Sequence, residues 1–418
     1  MHKKIKFVNN VRLVLTPLKE TQTATLLVLI GVGSRHEGAD NNGVSHFIEH
    51  MMFKGTKKRP DTLALSKELD RVGAEFNAFT GKDYTGYYVK SDSSHLDLSI
   101  NVLSDMLLNS KFDRQEIKRE KGVIIEEINM YEDNPLMFVD DLLEQSMYDN
   151  NPLGMSIAGD RKSVTGLDRK KLINYRNKFY QGSNIVIGLS GNYNLQQVKS
   201  IKSKFKFSNS DLVKNHKKIN ISQTSARVNL KYKNTEQVQL ALGFPAYSYF
   251  NDKINALQLL STILGGNMSS RLFLSVRERK GLAYFVRSWV STYEDTGGLI
   301  IQAGLDKMRV ESAIRLILTE LKKIKTGVKL EELNRAKDHL AGKLILNLED
   351  SANLCQWYSQ QELLTGKILT PKQKITKIMN VSLKQITAVA RDIIDFGRLN
   401  LALIGPFRDK NKFVKLIK

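Results

Sequence analysis

One internal repeat constrains the fold of this 418-residue chain more than any other feature. The first half opens with β-rich segments at 4–8, 12–16 and 24–32, the second with segments at 227–232 and 238–244. Each half then enters an apolar helical segment, 43–54 or 252–264, and closes on a short apolar strand ending in glycine, 184–191 or 400–405. The closing glycines, Gly191 and Gly405, stand 214 residues apart, about half the chain, and a unit of that size is within the usual domain range. The polar, lysine-containing stretch 207–225 lacks long periodic elements and reads as the join. The expected organisation is a domain at 1–206, a linker at 207–225 and a homologous domain at 226–418. Helical periodicity recurs at 61–73, 93–108, 114–132, 136–147, 307–325, 329–349 and 351–366. The segments 75–80 and 84–90 alternate enough to read as two paired strands around Gly81-Lys82-Asp83. Strands clustered against several long helices indicate an α+β layer architecture.

The two halves are not chemically equal. His46-Phe47-Ile48-Glu49-His50 has the form H-x-x-E-H, and two of the chain's seven histidines fall in these five residues. On a helix, residues 46, 49 and 50 share one face. Two imidazoles one turn apart can then share a Zn²⁺, with the carboxylate beside any coordinated water. Asn41 or Asn42 is placed to cap such a helix and Gly55 to end it. Laying 252–264 on 43–54 puts Leu257, Leu260 and Ser261 roughly where His46, Glu49 and His50 stand, so no metal site is expected in the second half.

A third ligand is sought downstream, in an acid-bearing amphipathic helix starting near Asp113. Glu120 and Glu127 are two turns apart and share a face with Ile124 and Tyr131. A carboxylate on a partly apolar face is costly unless something pairs with it, and a metal would. Val123 and Met130 put Glu126 on a second half-apolar face, so periodicity alone leaves Glu126 and Glu127 both open.

The run His46-Phe47-Ile48-Glu49-His50-Met51-Met52-Phe53-Lys54-Gly55-Thr56, followed by Glu120-Lys121-Gly122-Val123-Ile124-Ile125-Glu126-Glu127-Ile128, resembles the pitrilysin/insulinase (inverzincin) family of zinc metallopeptidases. That family places its third zinc ligand about eighty residues after the first histidine, with another glutamate seven residues before it. Here Glu127 lies 81 residues after His46 and Glu120 seven residues before Glu127. The resemblance therefore implies His46, His50 and Glu127 as metal ligands, one Zn²⁺ per chain, Glu49 as catalytic base and Glu120 as a supporting acid. It extends along the chain. The segment 75–80 is similar to the family's substrate-binding edge strand, implying main-chain contacts at Asn77 and Ala78, with Phe53 as a pocket wall. Arg271-Leu272-Phe273 and the run from Arg277 to Tyr284 resemble the second-half signature, implying Arg277 and Tyr284 as the pair that meets substrate and oxyanion. The size is similar to the shorter branch, with mitochondrial processing peptidases and their bacterial relatives. The implied fold is two homologous halves, each a mostly antiparallel sheet covered by helices on one side. The implied function is endopeptidase action on short or unfolded peptides inside a closed chamber, built as a homodimer. The alternative is a non-catalytic or partner-dependent subunit of a processing-peptidase-like complex.

Composition narrows the partners. A net charge of +21 invites a nucleic-acid reading, but the lysines fall in small scattered groups and no nucleic-acid motif accompanies them. The single Cys355 excludes an internal disulfide and fits a reducing compartment. The basic start leads into no apolar signal core, and the longest apolar run, 24–33, is far short of a membrane span. A cytoplasmic protein with neither nucleic-acid nor membrane partner is expected.

Overall fold

The computed structural model describes residues 2–209 and 216–417. Among these residues eleven strands form two sheets. The first contains β1 (Lys3–Lys6), β2 (Arg12–Pro17), β3 (Thr23–Ile30), β4 (Glu75–Thr80), β5 (Thr85–Asp92) and β6 (Ile185–Gly191), in the order β1-β2-β6-β3-β5-β4. The second contains β7 (Arg227–Tyr232), β8 (Gln237–Ala246), β9 (Ala283–Thr292), β10 (Gly297–Asp306) and β11 (Asn400–Gly405), in the order β7-β11-β8-β10-β9. Apart from the extra β1 the two orders are the same. In each sheet one pair is parallel, β2/β6 and β7/β11, and the other pairs are antiparallel. The internal repeat is thus a repeat of topology, and β4 and β9 are corresponding edge strands.

Each sheet buries its main core against helices on one face. In the first, Leu26, Val28 and Ile30 pack with Phe47 and Ile48 of helix Val44–Met52 and with residues of helices Leu96–Asn109 and Arg169–Phe179. In the second, Leu240, Leu242 and Phe244 pack with helices Ile254–Gly265, Val310–Ile324 and Leu383–Ile393. The strands carry apolar side chains on both faces of their pleat, and one further helix covers each opposite face. Helix Ser351–Thr365 crosses the first sheet, where Cys355 Sγ donates to Thr25 O at 3.7 Å and Ser351 Oγ shares a 2.9 Å hydrogen bond with Thr25 Oγ1. Helix Pro135–Met147 crosses the second, where Arg227 Nη1 donates to Ser146 O at 2.7 Å and Asn229 Nδ2 to Leu142 O at 3.1 Å.

These two helices interleave the chain. One compact unit comprises Met1–Asn129, Met155–Lys217 and Ile345–Leu369, the other Met130–Gly154, Lys218–Leu344 and Thr370–Lys418. The expected contiguous halves, 1–206 and 226–418, differ from these units by the two exchanged segments. Of the expected linker, residues 210–215 lie outside the described residues. Among the described residues no helix is long and apolar enough to cross a membrane.

Candidate metal centre

Helix Val44–Met52 carries the H-x-x-E-H run, but its start is not capped by Asn41 or Asn42 as expected. Gly43 is the N-cap, at a φ of 90° that favours glycine, and a Cβ there would meet Ala158 O at 2.6 Å. The capping acceptor comes instead from Glu37. Its carboxylate accepts from Gly43 N at 2.6 Å, Ser45 N at 2.8 Å and Asn42 Nδ2 at 3.0 Å. Gly43 N and Ser45 N are backbone amides that the helix start leaves without an intrahelical partner, and a negative charge there also suits the helix dipole. Burial pushes the Glu37 carboxyl up to about 7 against the pull of those donors. The helix ends at Met52, with Phe53 as C-cap; Gly55 follows at a φ of 103°.

The helix turns His46, Glu49 and His50 toward helix Arg114–Asp133. His46 Nε2 and His50 Nε2 lie 3.1 Å apart, and Glu127 Oε2 stands 3.6 and 3.5 Å from them. Glu126, which periodicity left open, is exposed, whereas Glu127 is half-buried beside the histidines. Glu120 is buried, and both its oxygens are engaged: Oε1 with His50 Nδ1 at 2.8 Å, Oε2 with Lys54 Nζ at 2.7 Å. Burial alone would raise the Glu120 carboxyl, but hydrogen bonds from His50 and Lys54 outweigh it and hold it below its ordinary value. A carboxylate on Nδ1 fixes that nitrogen as the donor, so Nε2 presents its lone pair.

This donor set can be tested against zinc by geometry. Metal–nitrogen distances of 2.0–2.1 Å in a tetrahedral shell require ligand atoms about 3.3 Å from one another. The three observed separations, 3.1, 3.5 and 3.6 Å, bracket that value. Burial, then the neighbouring His50, push the His46 imidazole down to about 3, which keeps it neutral. Two imidazole nitrogens and a carboxylate oxygen converge, all within 4.8 Å, and a divalent cation satisfies all three. The residues fit the metal.

Around this centre, Thr80 Oγ1 donates to Glu49 Oε2. Burial raises the Glu49 carboxyl, the Thr80 hydrogen bond and His50 pull it down, and the charge of Glu127 adds to the rise. Phe53 stacks on Phe76 of β4, ring centroids 6.5 Å apart, and packs against the first core. Asn77 is exposed on β4, an edge of the first sheet, with its side chain accepting from Ala78 N at 2.8 Å. Arg277 and Tyr284 belong to the other compact unit. Arg277 lies in the π-helical segment Phe273–Glu278, its guanidinium 4.8 Å from the Phe273 ring centroid. Tyr284 is the second residue of β9 and is exposed.

Sequence reasoning missed Glu37, Lys54 and Thr80 as parts of this centre. Lys54 stands one turn beyond His50, the spacing that brings side chains together on a helix face. Thr80 continues the i, i+2 alternation of Phe76 and Ala78. Both signals were readable. For Glu37 there was none, because its hold on the helix crosses an irregular turn.

The chain is similar to proteins already known along nearly its whole length. Residues 12–161 match the insulinase family, peptidase family M16, and residues 166–340 match the peptidase M16 inactive domain. An uncharacterized zinc protease of Bacillus subtilis, YmxG, is 36% identical over 403 residues, 95% of this chain and 97% of the relative. One from Streptomyces coelicolor is 34% identical over 408 residues, covering 96% and 88%. Among solved structures, a protease from Helicobacter pylori shares the fold with a TM-score of 0.92 at 23% identity, covering 97% of this chain and 99% of its own. The two family matches, and relatives aligned along nearly the whole chain, place it: the chain belongs to the insulinase family, peptidase family M16.

Proposed function

We propose that this chain is a zinc-dependent endopeptidase acting on short or unfolded peptides, with one Zn²⁺ per chain held by His46, His50 and Glu127. The observation that carries the reading is the convergence of those three donor atoms within 4.8 Å, with Glu49 one turn from His46 on the same helix. When bound, zinc supplies an activated water at neutral pH and polarises a carbonyl. Glu49 takes the proton of the attacking water and delivers it to the leaving amine. Glu120, itself held by Lys54, keeps the His50 ring oriented. Asn77 and Ala78 offer main-chain contacts on an edge strand that an extended peptide can join, and Phe53 walls a side-chain pocket. Arg277 and Tyr284 hold substrate and stabilise the oxyanion. By family resemblance two copies form a homodimer around a chamber, each lending Arg277 and Tyr284 to the other's zinc. The proposed setting is cytoplasmic.

The test is cleavage of an unstructured peptide mixture by wild type and Glu49→Gln, with bound zinc quantified in both. The expected result is about one zinc per chain in each, as a single three-ligand site requires. Cleavage by the variant should fall by about 10²–10⁴-fold, the usual worth of a general base. A wild type that binds zinc but cuts nothing would favour the alternative of a non-catalytic or partner-dependent subunit. A wild type that binds no zinc overturns the reading.

A further inference from the structure

Strand β4 (Glu75–Thr80) alternates in burial from 75 to 78, with Glu75 and Asn77 exposed and Phe76 and Ala78 half-buried; Phe79 and Thr80 are both half-buried. Phe76 and Ala78 pack against the first core, and Phe76 meets Phe53 just past the metal helix. Thr80 is the last residue of that inward row, and its hydroxyl reaches Glu49 Oε2. Among the described residues no other hydrogen bond to the Glu49 carboxylate is found. The backbone that carries Thr80 is itself tied down. Directly after it, Ser34 N donates to Gly81 O and Arg35 N to Lys82 O, each at 3.1 Å. The buried Arg35 guanidinium also bridges buried Asp83 at 3.0 Å. A hydroxyl on a clamped hairpin is a fixed donor. A glutamate carboxylate without one turns broadly about its last torsion.

We propose that Thr80 is a positioning residue for peptide hydrolysis: it holds Glu49 Oε2 so that Oε1 is left to face the attacking water. This rests on the peptidase reading above and deepens it. A general base acts only within hydrogen-bond reach of the proton it removes, and small misplacements at a reacting centre are costly. Thr80 also projects from the edge strand that an extended substrate would join. The strand that aligns the peptide is therefore the strand that aims the base.

The test compares zinc-loaded full-length wild type, Thr80→Val and Thr80→Ser on a quenched-fluorescence unstructured peptide. Zinc affinity by chelator competition, and crystal structures of the wild type and Thr80→Val without zinc, complete it. The valine variant keeps the shape and removes the donor. Its kcat should fall about 10- to 100-fold, within the range that a misplaced reacting group costs, with KM and zinc affinity unchanged. Its Glu49 carboxylate should leave the single position it holds in the wild type. Thr80→Ser, which keeps the hydroxyl, should restore both kcat and that position. Thr80→Ala replaces the valine variant if the latter does not fold. A Thr80→Val enzyme within twofold of wild-type kcat, or a serine variant no better than valine, overturns the proposal. If the wild type itself cuts nothing while holding zinc, the peptidase reading fails. The crystal structures then decide separately whether Thr80 fixes Glu49, and an unmoved Glu49 in the valine variant overturns the proposal there too.

Discussion

Helix Val44–Met52 and helix Ile254–Gly265 each follow the second long strand of a sheet with the same order, yet they do opposite things with that place. The first keeps Glu49 and His50 half-exposed and gathers polar groups from β4 and from the acid-bearing helix. The second buries Leu257 and Leu260 completely and Ser261 almost so. It also closes onto its own edge strand. Ser261 Oγ shares a 2.8 Å hydrogen bond with Ser288 Oγ of β9, and a Cβ on Gly265 would come within 2.8 Å of Ser288 N. The difference teaches that the fold alone does not make a site. In the first half the helix meets its edge strand through the polar pair Glu49 and Thr80, whereas in the second half buried leucines stand at the corresponding positions and the helix lies directly against its strand. The match of residues 166–340 to a domain described as inactive agrees with this chemistry.

The comparison breaks most sharply if the first helix holds metal without Glu127. Replacing Glu127 by Gln removes the anionic member of the trio and leaves the two imidazole nitrogens 3.1 Å apart. Loss of a mere outer-shell partner costs about 10–100-fold in metal affinity, so loss of a ligand should exceed 100-fold. Zinc content after dialysis against a weak chelator should fall from one per chain to nearly none, and peptide cleavage with it. Retention of full zinc would mean that Glu127 is no ligand. The second half offers the converse test. Leu260→Glu places a carboxylate where Glu49 stands in the first half, but in a fully buried setting with no partner. An unpaired buried charge costs about 3–5 kcal/mol, so a denaturant titration should show that loss, with no gain of zinc. A smaller loss would show that the second helix has the room argued against here.

How much of this was legible in the sequence follows from range. The metal helix and the acid helix could be read because their signals are local and periodic, and the repeat because it recurs as whole elements. Glu126 and Glu127 could not be separated by periodicity, since both sit beside apolar neighbours on one helix; family spacing was needed, and the fold exposes Glu126. The exchange of helices Pro135–Met147 and Ser351–Thr365 left no local trace. An amphipathic pattern records that a helix has a buried face, not which sheet covers it. The same limit hid Glu37. Asn41 and Asn42 are residue types that usually cap amides two or three residues on, while a carboxylate six residues before Gly43 reaches the amides only after a turn has folded.

Lys54 gives the finest cut between the two helices, because it tests support rather than ligation. Beyond His50 the first helix runs out into Phe53 and Lys54, and Lys54 Nζ meets Glu120 Oε2 at 2.7 Å. The other Glu120 oxygen meets His50 Nδ1 at 2.8 Å. Lysine thereby balances a buried carboxylate whose task is to hold a histidine ring. Lys54→Met keeps much of the aliphatic stem and removes the cation, so Glu120 is left with His50 alone. Burial then favours the neutral acid, whose hydrogen bond to the ring is weaker. Zinc affinity measured by chelator competition should drop about 10–100-fold, the usual worth of an outer-shell partner, with thermal stability little changed because Lys54 is only half-buried. Lys54→Arg, which can still donate to the carboxylate, should recover most of the loss. An unchanged affinity in the methionine variant would show that Glu120 orients His50 unaided, and that the first helix differs from the second by its ligands and base alone.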